Sequence, residues 1–145
     1  MKIAVFPGTF DPFTLGHANI VERALPMFDK IVIGIGVNDG KTPAQDAALR
    51  ADAIRKIYAE EPRVRVVVYD DLTVDLCLRE KADFILRGVR SMKDFEYERD
   101  VAALNKRLSG IETILLFSEE NLAHVSSSAV RELLKYGKDV SEFLP

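Results

Sequence analysis

The chain alternates five short apolar runs with longer amphipathic segments, and this alternation limits its fold more than any other feature. The runs are almost continuous in Val, Ile, Leu and Phe, as in parallel strands that are covered on both faces. They are KIAVF, KIVIGIGV, RVRVVVY, DFILRG and ETILLF. Helices are predicted over residues 17–27, 46–60, 72–81, 94–109 and 127–136. The pattern predicts an α/β fold, a doubly wound five-stranded parallel sheet with helices on both faces.

The fourth predicted helix has the clearest periodicity. Its apolar side chains recur at alternating four- and three-residue spacing, which places them on one helical face. They are Tyr97, Val101, Leu104 and Leu108. Asp94 is its predicted N-cap, because a carboxylate oxygen there can accept from an unpaired N–H of the first turn. The last predicted helix is expected to stop at Gly137, since glycine is common just beyond a helix end.

Length, charge and cysteine content narrow the class of protein. The 145 residues are expected to form one domain, residues 1–145. A formal net charge of −3 gives no general attraction for nucleic acid. No apolar run approaches the length of about 20 residues that a membrane span needs. The single cysteine, Cys77, falls on an apolar phase, so we expect a buried thiol in a cytoplasmic protein without nucleic-acid or membrane partners.

The unusual chemistry of the chain lies in the segments that follow the predicted strands. In a parallel sheet these segments meet at the carboxyl edge, where α/β proteins bind ligands. The first is GTFDPFTLGH, which leaves one strand and enters a helix. Gly8 and Gly16 permit close backbone approach, Thr9 and His17 offer side-chain donors, and a helix N-terminus favours an anion. The alternative is a tight turn with an incidental histidine.

Cations and hydroxyls occupy the later segments. Lys41 follows the second predicted strand. Arg87 and Gly88 close the fourth, and Arg90 follows two residues later. Guanidinium groups bind phosphates in bidentate fashion, although a solvated lysine and two surface arginines are the ordinary alternatives. The run Ser126–Ser128 begins the last helix and offers several hydroxyls, where one serine would be an ordinary cap.

The sequence lacks the residues that several other reaction classes require. There is no P-loop motif, and GIGVNDG departs from the dinucleotide-binding spacing. His17, His124 and Cys77 show no zinc-type spacing, and no base-activated nucleophile is visible. Donors and cations around phosphates remain, which suits phosphoryl or nucleotidyl transfer by positioning and charge stabilisation.

Three motifs carry a family resemblance. GTFDPFTLGH with a later SSSAVR resembles the nucleotidyltransferase superfamily that has T/H-x-G-H and I-S-S-[ST]-x-x-R motifs. With RGVRSMKDFEYE added, the chain from Met1 to Pro145 resembles the bacterial phosphopantetheine adenylyltransferases. The resemblance implies a Rossmann-like fold and transfer of the adenylyl group of ATP to 4′-phosphopantetheine, giving dephospho-coenzyme A and pyrophosphate. It also implies magnesium held mainly by the ATP phosphates, a homohexamer, and coenzyme A as a feedback ligand.

The resemblance also implies roles for individual residues. The catalytic set would be Thr9, His17, Lys41 and Arg90. The phosphopantetheine side would be held by Thr9, Lys41, Leu72, Thr73 and Arg87. The ATP side would be held by Gly8, Thr9, Phe10, His17, Gly88, Arg90, Glu98, His124, Ser126, Ser127 and Ser128. No residue is expected to bind a metal directly.

The chain departs from the usual family pattern in three places, and two other functions stay open. Before the serine run it has Leu122-Ala123-His124 where relatives often have an aromatic, and it ends at EFLP where many relatives continue into another short helix. Where relatives have an aromatic, a Ser/Thr cap and a Glu-Arg pair, this chain has Gln45, Asp46, Leu49 and Arg50, with Asp46 still able to cap. A sister enzyme acting on nicotinamide mononucleotide or glycerol 3-phosphate is the nearest alternative. A nucleotide-binding regulatory domain without activity is the alternative of another class.

Overall fold

Strands and helices alternate along the chain. The computed structural model describes residues 1–37 and 46–145, so the prediction for Lys41 lies outside the described residues. Within those ranges the strands are β1 (Ile3–Gly8), β2 (Lys30–Gly36), β3 (Val64–Tyr69), β4 (Phe84–Val89) and β5 (Glu112–Phe117). The helices are α1 (Leu15–Ala24), α2 (Ala47–Ile57), α3 (Thr73–Arg79), α4 (Met92–Ser109) and α5 (Ser127–Lys135). Short 3₁₀ turns cover Glu120–Leu122 and Ser141–Phe143. The ends of the predicted helices differ from these by at most three residues.

The described strands form one parallel sheet in the order β3-β2-β1-β4-β5, which confirms the predicted α/β architecture. Chain order reverses between β1 and β4, because the chain moves outward from β1 to β3 and then returns to the other side of β1. β1 and β2 stay in register from Ile3↔Lys30 to Gly8↔Ile35. The β1–β4 register covers Ala4↔Phe84 and Val5↔Ile85. The carboxyl ends of β1 and β4 are therefore where this sheet can admit a ligand.

The core lies on the two faces of the sheet. One face packs against α1 and α2 through a cluster that includes Phe6, Ile20, Val21, Ile33 and Ile54. The opposite face packs against α3 through Val5, Val32, Leu76, Cys77 and Ile85. With right-handed crossovers, the helices that follow the reversal of strand order lie on the face opposite to those that precede it. As predicted, the Cys77 thiol is buried, and burial raises its pKa to about 11.

The expectation that every strand is covered on both faces is wrong at the edges of the sheet. β1 and β2 are buried along almost their whole length. β3 alternates between buried and accessible positions, and the side chains of β5 are partly or fully accessible. Both are edge strands, and an edge strand has a neighbour on one side only. Among the residues described, no helix is long and apolar enough to cross a bilayer.

One prediction about α4 is corrected. Its N-cap is Ser91, whose Oγ accepts from the Asp94 backbone N–H at 3.2 Å, whereas Asp94 lies in the first turn. The periodic face is helical, but it does not pack into this chain: Tyr97 is 65% exposed and Leu104 and Leu108 are each 58% exposed. Periodicity reports that one face is apolar, and it does not say what covers that face. The predicted end of α5 is confirmed, since Gly137 follows it with φ of 72°.

Candidate active site

The site begins where β1 and β4 leave the sheet. Arg87, in β4, donates from Nη1 to the carbonyl oxygen of Pro7, in β1, at 2.5 Å and bridges the two strand ends. Proline has no N–H for a strand ladder, so a side chain forms the link at this level. Gly8 follows directly, and a Cβ on it would lie 2.9 Å from the Phe10 ring. The carboxyl end of β1 therefore excludes larger residues.

The segment after β1 ends in a capping box built with a histidine. Thr14 is the N-cap of α1, and its backbone N–H donates to Nδ1 of His17, three residues later, at 3.0 Å. Glutamate or glutamine usually makes this reciprocal bond. With Nδ1 accepting, the neutral imidazole carries its proton on Nε2. The T-L-G-H spacing thus leaves His17 with a donor available on the other side of its ring.

The surroundings of His17 keep it neutral. Its ring packs against Phe10 at 4.9 Å, edge to face, and stacks on Phe13 at 5.4 Å between centroids. Burial, reinforced by the positive charges of Arg87 and Arg90, lowers the pKa of His17 to about 3. The imidazole is therefore a neutral hydrogen-bond donor at physiological pH, and it is not an imidazolium that could act as a general acid.

Arg87 is tied to a buried carboxylate. Its Nε and Nη2 donate to Glu98 of α4 at 2.7 Å each, and Glu98 is only 4% exposed. Of the five guanidinium N–H groups, two remain for a ligand once these bonds and the bond to Pro7 are made. Arg90 is less enclosed and pairs with Asp94 at 3.2 Å. Both arginines therefore reach the site from the end of β4, each positioned by α4.

The three serines of α5 have different partners. Ser126 is the N-cap, and its Oγ accepts from the Ala129 N–H at 3.1 Å. The Ser127 hydroxyl donates to the Pro12 carbonyl at 2.7 Å. Ser128 Oγ accepts from Arg131 Nη2 at 3.2 Å. The cap explanation therefore accounts for one serine of the run, while Ser127 links α5 to the segment after β1 and Ser128 bonds within α5.

Two cavities open at this edge and share a wall. The first, about 780 Å³, is lined by predicted ATP-side residues: Gly8, Thr9, Phe10, His17, Gly88, Arg90, Glu98, Ser126, Ser127 and Ser128. The second, about 940 Å³, is lined by Leu72 and Thr73, predicted for the other substrate. Thr9 and Arg87 line both cavities. Two ligands could therefore meet beside those two residues.

One of the predicted site residues that the structure describes, His124, lies away from this site. His124 lines neither cavity and packs edge to face on Phe143, with centroids 6.3 Å apart. Conversely, Arg50 lines the first cavity and Tyr97 lines both, although neither was assigned to the site. Arg131, the arginine of the SSSAVR motif, also lines the first cavity. Tyr97 was counted only as part of the apolar face. Arg50 follows the N-cap Asp46 by one turn, and that position after β2 was the available signal.

The described residues offer no protein cage for a metal. Among residues 1–37 and 46–145, no group of three His, Cys, Asp or Glu side chains is arranged to hold an ion. The first cavity wall has three acidic residues, Asp11, Asp94 and Glu98, of which Glu98 is bonded to Arg87 and Asp94 to Arg90. This donor set fits an ion carried by phosphate oxygens of a nucleotide better than one bound by the chain itself.

Solved structures share the fold. A bifunctional NMN adenylyltransferase/ADP ribose pyrophosphatase from Francisella tularensis, complexed with AMP and a manganese ion, superposes with a TM-score of 0.72. The match covers 99% of this chain and 44% of that one at 18% identity. The lipopolysaccharide core biosynthesis protein of Thermoplasma volcanium gives a TM-score of 0.60 at 22% identity, over 82% of this chain and 97% of that one.

Sequence relatives are closer. The cytidylyltransferase-like family model matches residues 5–133. Phosphopantetheine adenylyltransferase of Bacteroides thetaiotaomicron is 53% identical over all of this chain and 96% of its own. The enzymes of that name from Porphyromonas gingivalis W83 (51%) and Flavobacterium psychrophilum (46%) match 99% and 100% of this chain, and 94% and 96% of their own. Identity of this extent over the full length shows that the chain belongs to the phosphopantetheine adenylyltransferase family.

Proposed function

We propose that this chain transfers the adenylyl group of ATP to 4′-phosphopantetheine, giving dephospho-coenzyme A and pyrophosphate. The observation that carries the proposal is the pair of cavities that meet at Thr9 and Arg87. ATP would occupy the first cavity and phosphopantetheine the second. The family supports the choice of acceptor, since relatives of 43–53% identity carry the name of that activity.

The reaction needs no general base. A phosphate monoester has a second pKa of about 6, so the acceptor is mostly a dianion at neutral pH. Its oxygen attacks the α-phosphorus of ATP, and a new P–O bond forms. The bond from the α-phosphorus to the bridging oxygen breaks, and pyrophosphate leaves with the electron pair. The difficulty is electrostatic, because a dianion must approach a polyanion.

The hydrogen-bond donors and cations of the site could offset this electrostatic repulsion. His17 donates from Nε2 to the phosphate on which charge builds, and it stays neutral while doing so. Arg87, Arg90, Lys41 and Thr9 are proposed to hold the reacting phosphates. Magnesium bound to the ATP phosphates would offset their charge and favour departure of pyrophosphate. Gly8, Phe10 and Gly88 would supply close backbone contacts, and Glu98, Ser126, Ser128 and the backbone of Ser127 would complete the ATP side.

One assay tests the assignment. Pyrophosphate release from MgATP is measured with phosphopantetheine, nicotinamide mononucleotide or glycerol 3-phosphate as acceptor. Release with phosphopantetheine at a kcat/KM at least 10²-fold above the other two is expected. Faster release with either of the others would identify a sister enzyme. ATP binding without turnover of any acceptor would instead identify a regulatory domain.

The assembly and location are also proposals. A homohexamer is supported by α4, which exposes Tyr97, Leu104 and Leu108 on one face. An exposed apolar face of this extent is typical of an interface between subunits. Coenzyme A is proposed as a feedback ligand because its pantetheine arm matches that of the acceptor. The cytoplasm is the proposed compartment, consistent with the buried Cys77 thiol.

A further inference from the structure

The loop between β1 and α1 is held by α5, which lies more than a hundred residues later in the chain. Arg131 donates from Nη1 to the backbone carbonyl of Asp11 at 2.7 Å. The hydroxyl of Ser127 donates to the next carbonyl, that of Pro12, also at 2.7 Å. Both side chains therefore bond to the backbone of the loop and not to its side chains, so they constrain the backbone conformation.

A third donor comes from α2. Arg50 donates from Nη1 to the carbonyl of Thr9 at 2.5 Å, and Arg50 is only 4% exposed. A trans peptide directs its C=O and following N–H in opposite directions, so this bond also orients the N–H of Phe10. Carbonyls at three of the four positions 9–12 thus accept from side chains of distant helices.

The held conformation is one that the loop would not favour by itself. Phe10 has φ of 52°, in the left-handed region, which costs an L-residue on the order of 1–2 kcal/mol. Such a conformation persists when surrounding contacts determine it. The Phe10 ring is buried and meets the His17 imidazole edge to face at 4.9 Å. A change in the backbone conformation at Phe10 would therefore move the ring that packs against His17, the donor proposed for catalysis.

We propose that Arg50, Ser127 and Arg131 are positioning residues, which hold the loop backbone so that Thr9 and His17 meet the reacting phosphates. The assignment rests on the proposed function. It differs from a role in binding ATP directly, because the named atoms are already engaged with carbonyls of the protein. Misplacement of a reacting group by about 1 Å can cost on the order of 10²-fold in rate, so a small shift of this loop would be measurable.

The kinetic test compares Arg131→Met with Lys135→Met, which removes an exposed cation from the same helix. Arg131→Met is expected to lower kcat 10-fold or more while KM for ATP changes less than threefold. Arg131→Lys, which keeps one donor, should recover part of kcat, and Lys135→Met should match the wild type. A kcat within threefold of wild type in Arg131→Met, or a KM for ATP that rises by a larger factor than kcat falls, would overturn the proposal.

A second measurement does not depend on turnover. In ligand-free protein labelled with ¹⁵N-phenylalanine, the amide resonances of Phe10 and Phe13 should shift in Arg131→Met and Ser127→Ala and stay in place in Lys135→Met. Unmoved Phe10 and Phe13 resonances in the first two variants would refute the positioning role. If Arg131→Met does not fold, Ser127→Ala, which removes one hydroxyl, decides the question. If the wild type fails to turn over phosphopantetheine, the proposed function fails, and these resonances alone decide the inference.

Discussion

At the scale of single residues, His17 combines a structural and a proposed chemical role on opposite sides of one ring. Nδ1 closes the capping box with Thr14, and this fixes the proton on Nε2. Aromatic neighbours and two arginines keep the ring neutral. The proposed catalytic donor is therefore positioned by the same bond that starts the helix.

We expect His17→Asn to separate these two roles. The Asn Oδ1 can take the place of Nδ1 as acceptor for the Thr14 N–H, while no donor reaches the position of Nε2. The kcat should fall by about 10²-fold with KM for both substrates nearly unchanged, as for a donor used in the transition state. His17→Gln, which carries an amide donor near the Nε2 position, should retain more activity. Steady-state pyrophosphate release measures both variants, and a wild-type kcat in His17→Asn would make the histidine purely structural.

The depressed pKa of His17 also predicts a dependence of stability on pH. The folded value of about 3 lies below the ordinary value of 6.5, so between those pH values the unfolded chain binds a proton that the folded chain does not. His17 therefore destabilises the folded state as pH falls through 6.5 toward 3, and contributes no pH dependence above that window.

We expect the free energy of unfolding of the wild type, relative to His17→Asn, to be about 1–2 kcal/mol lower at pH 5 than at pH 8. Urea unfolding at the two pH values measures this difference, at one protomer concentration. The remaining titratable groups are common to both proteins and cancel in the comparison. A difference that does not change with pH would mean that the imidazole is charged or solvated in the folded state.

At the scale of elements, the N-termini of the helices show where the sequence was sufficient to predict the N-cap residue. Asp46 caps α2 as predicted, and its carboxylate accepts from the Ala48 N–H at 2.9 Å. At α4 the predicted cap, Asp94, lies in the first turn and bonds to Arg90, and Ser91 caps the helix instead. Ser91 is the last residue before the helix and has an extended backbone, which places its Oγ near the Asp94 N–H.

Replacement of the α4 cap should weaken the fold in a graded way. Ser91→Ala removes the oxygen that accepts from the Asp94 N–H, so the free energy of unfolding should fall by about 1 kcal/mol. Ser91→Asp, which restores an acceptor at that position, should lose much less. Urea unfolding at fixed protomer concentration compares the two variants with wild type. Equal losses in both variants would show that the Ser91 hydroxyl does not cap the helix.

At the scale of the whole molecule, α4 has an apolar face that no other part of the described chain covers. It lies beside the second cavity, since Tyr97 and Val101 line that cavity. A neighbouring subunit on this face would therefore bury apolar side chains close to the proposed acceptor site. Stability and assembly are then expected to depend on each other.

Leu104→Glu should disrupt the proposed hexamer. A carboxylate in the centre of this apolar face would be buried without a partner, so the assembly should dissociate to smaller species. Ala103→Glu adds the same charge a quarter-turn or more around α4 and serves as the control. Sedimentation velocity distinguishes the species. If Leu104→Glu sediments like the wild type, α4 does not form the interface.

Sequence alone determined the local features and the order of the elements. Hydrophobic periodicity identified the strands and helices, and the parallel-sheet rule placed GTFDPFTLGH, RGVRSMKD and the serine run at one edge. These features could be predicted because each depends on residues a few positions apart. The family motifs added residue roles, which remain predictions.

The tertiary structure decided which side chains meet. The contacts of Arg87 with Glu98 and Pro7, and of Arg131 with Asp11, join residues distant in sequence. Local patterns carry no information on such pairs, because they arise from the angle and distance at which packed elements come together. The same reason explains what periodicity left open: it identified the apolar face of α4, but only the packed sheet shows that this chain leaves the face uncovered.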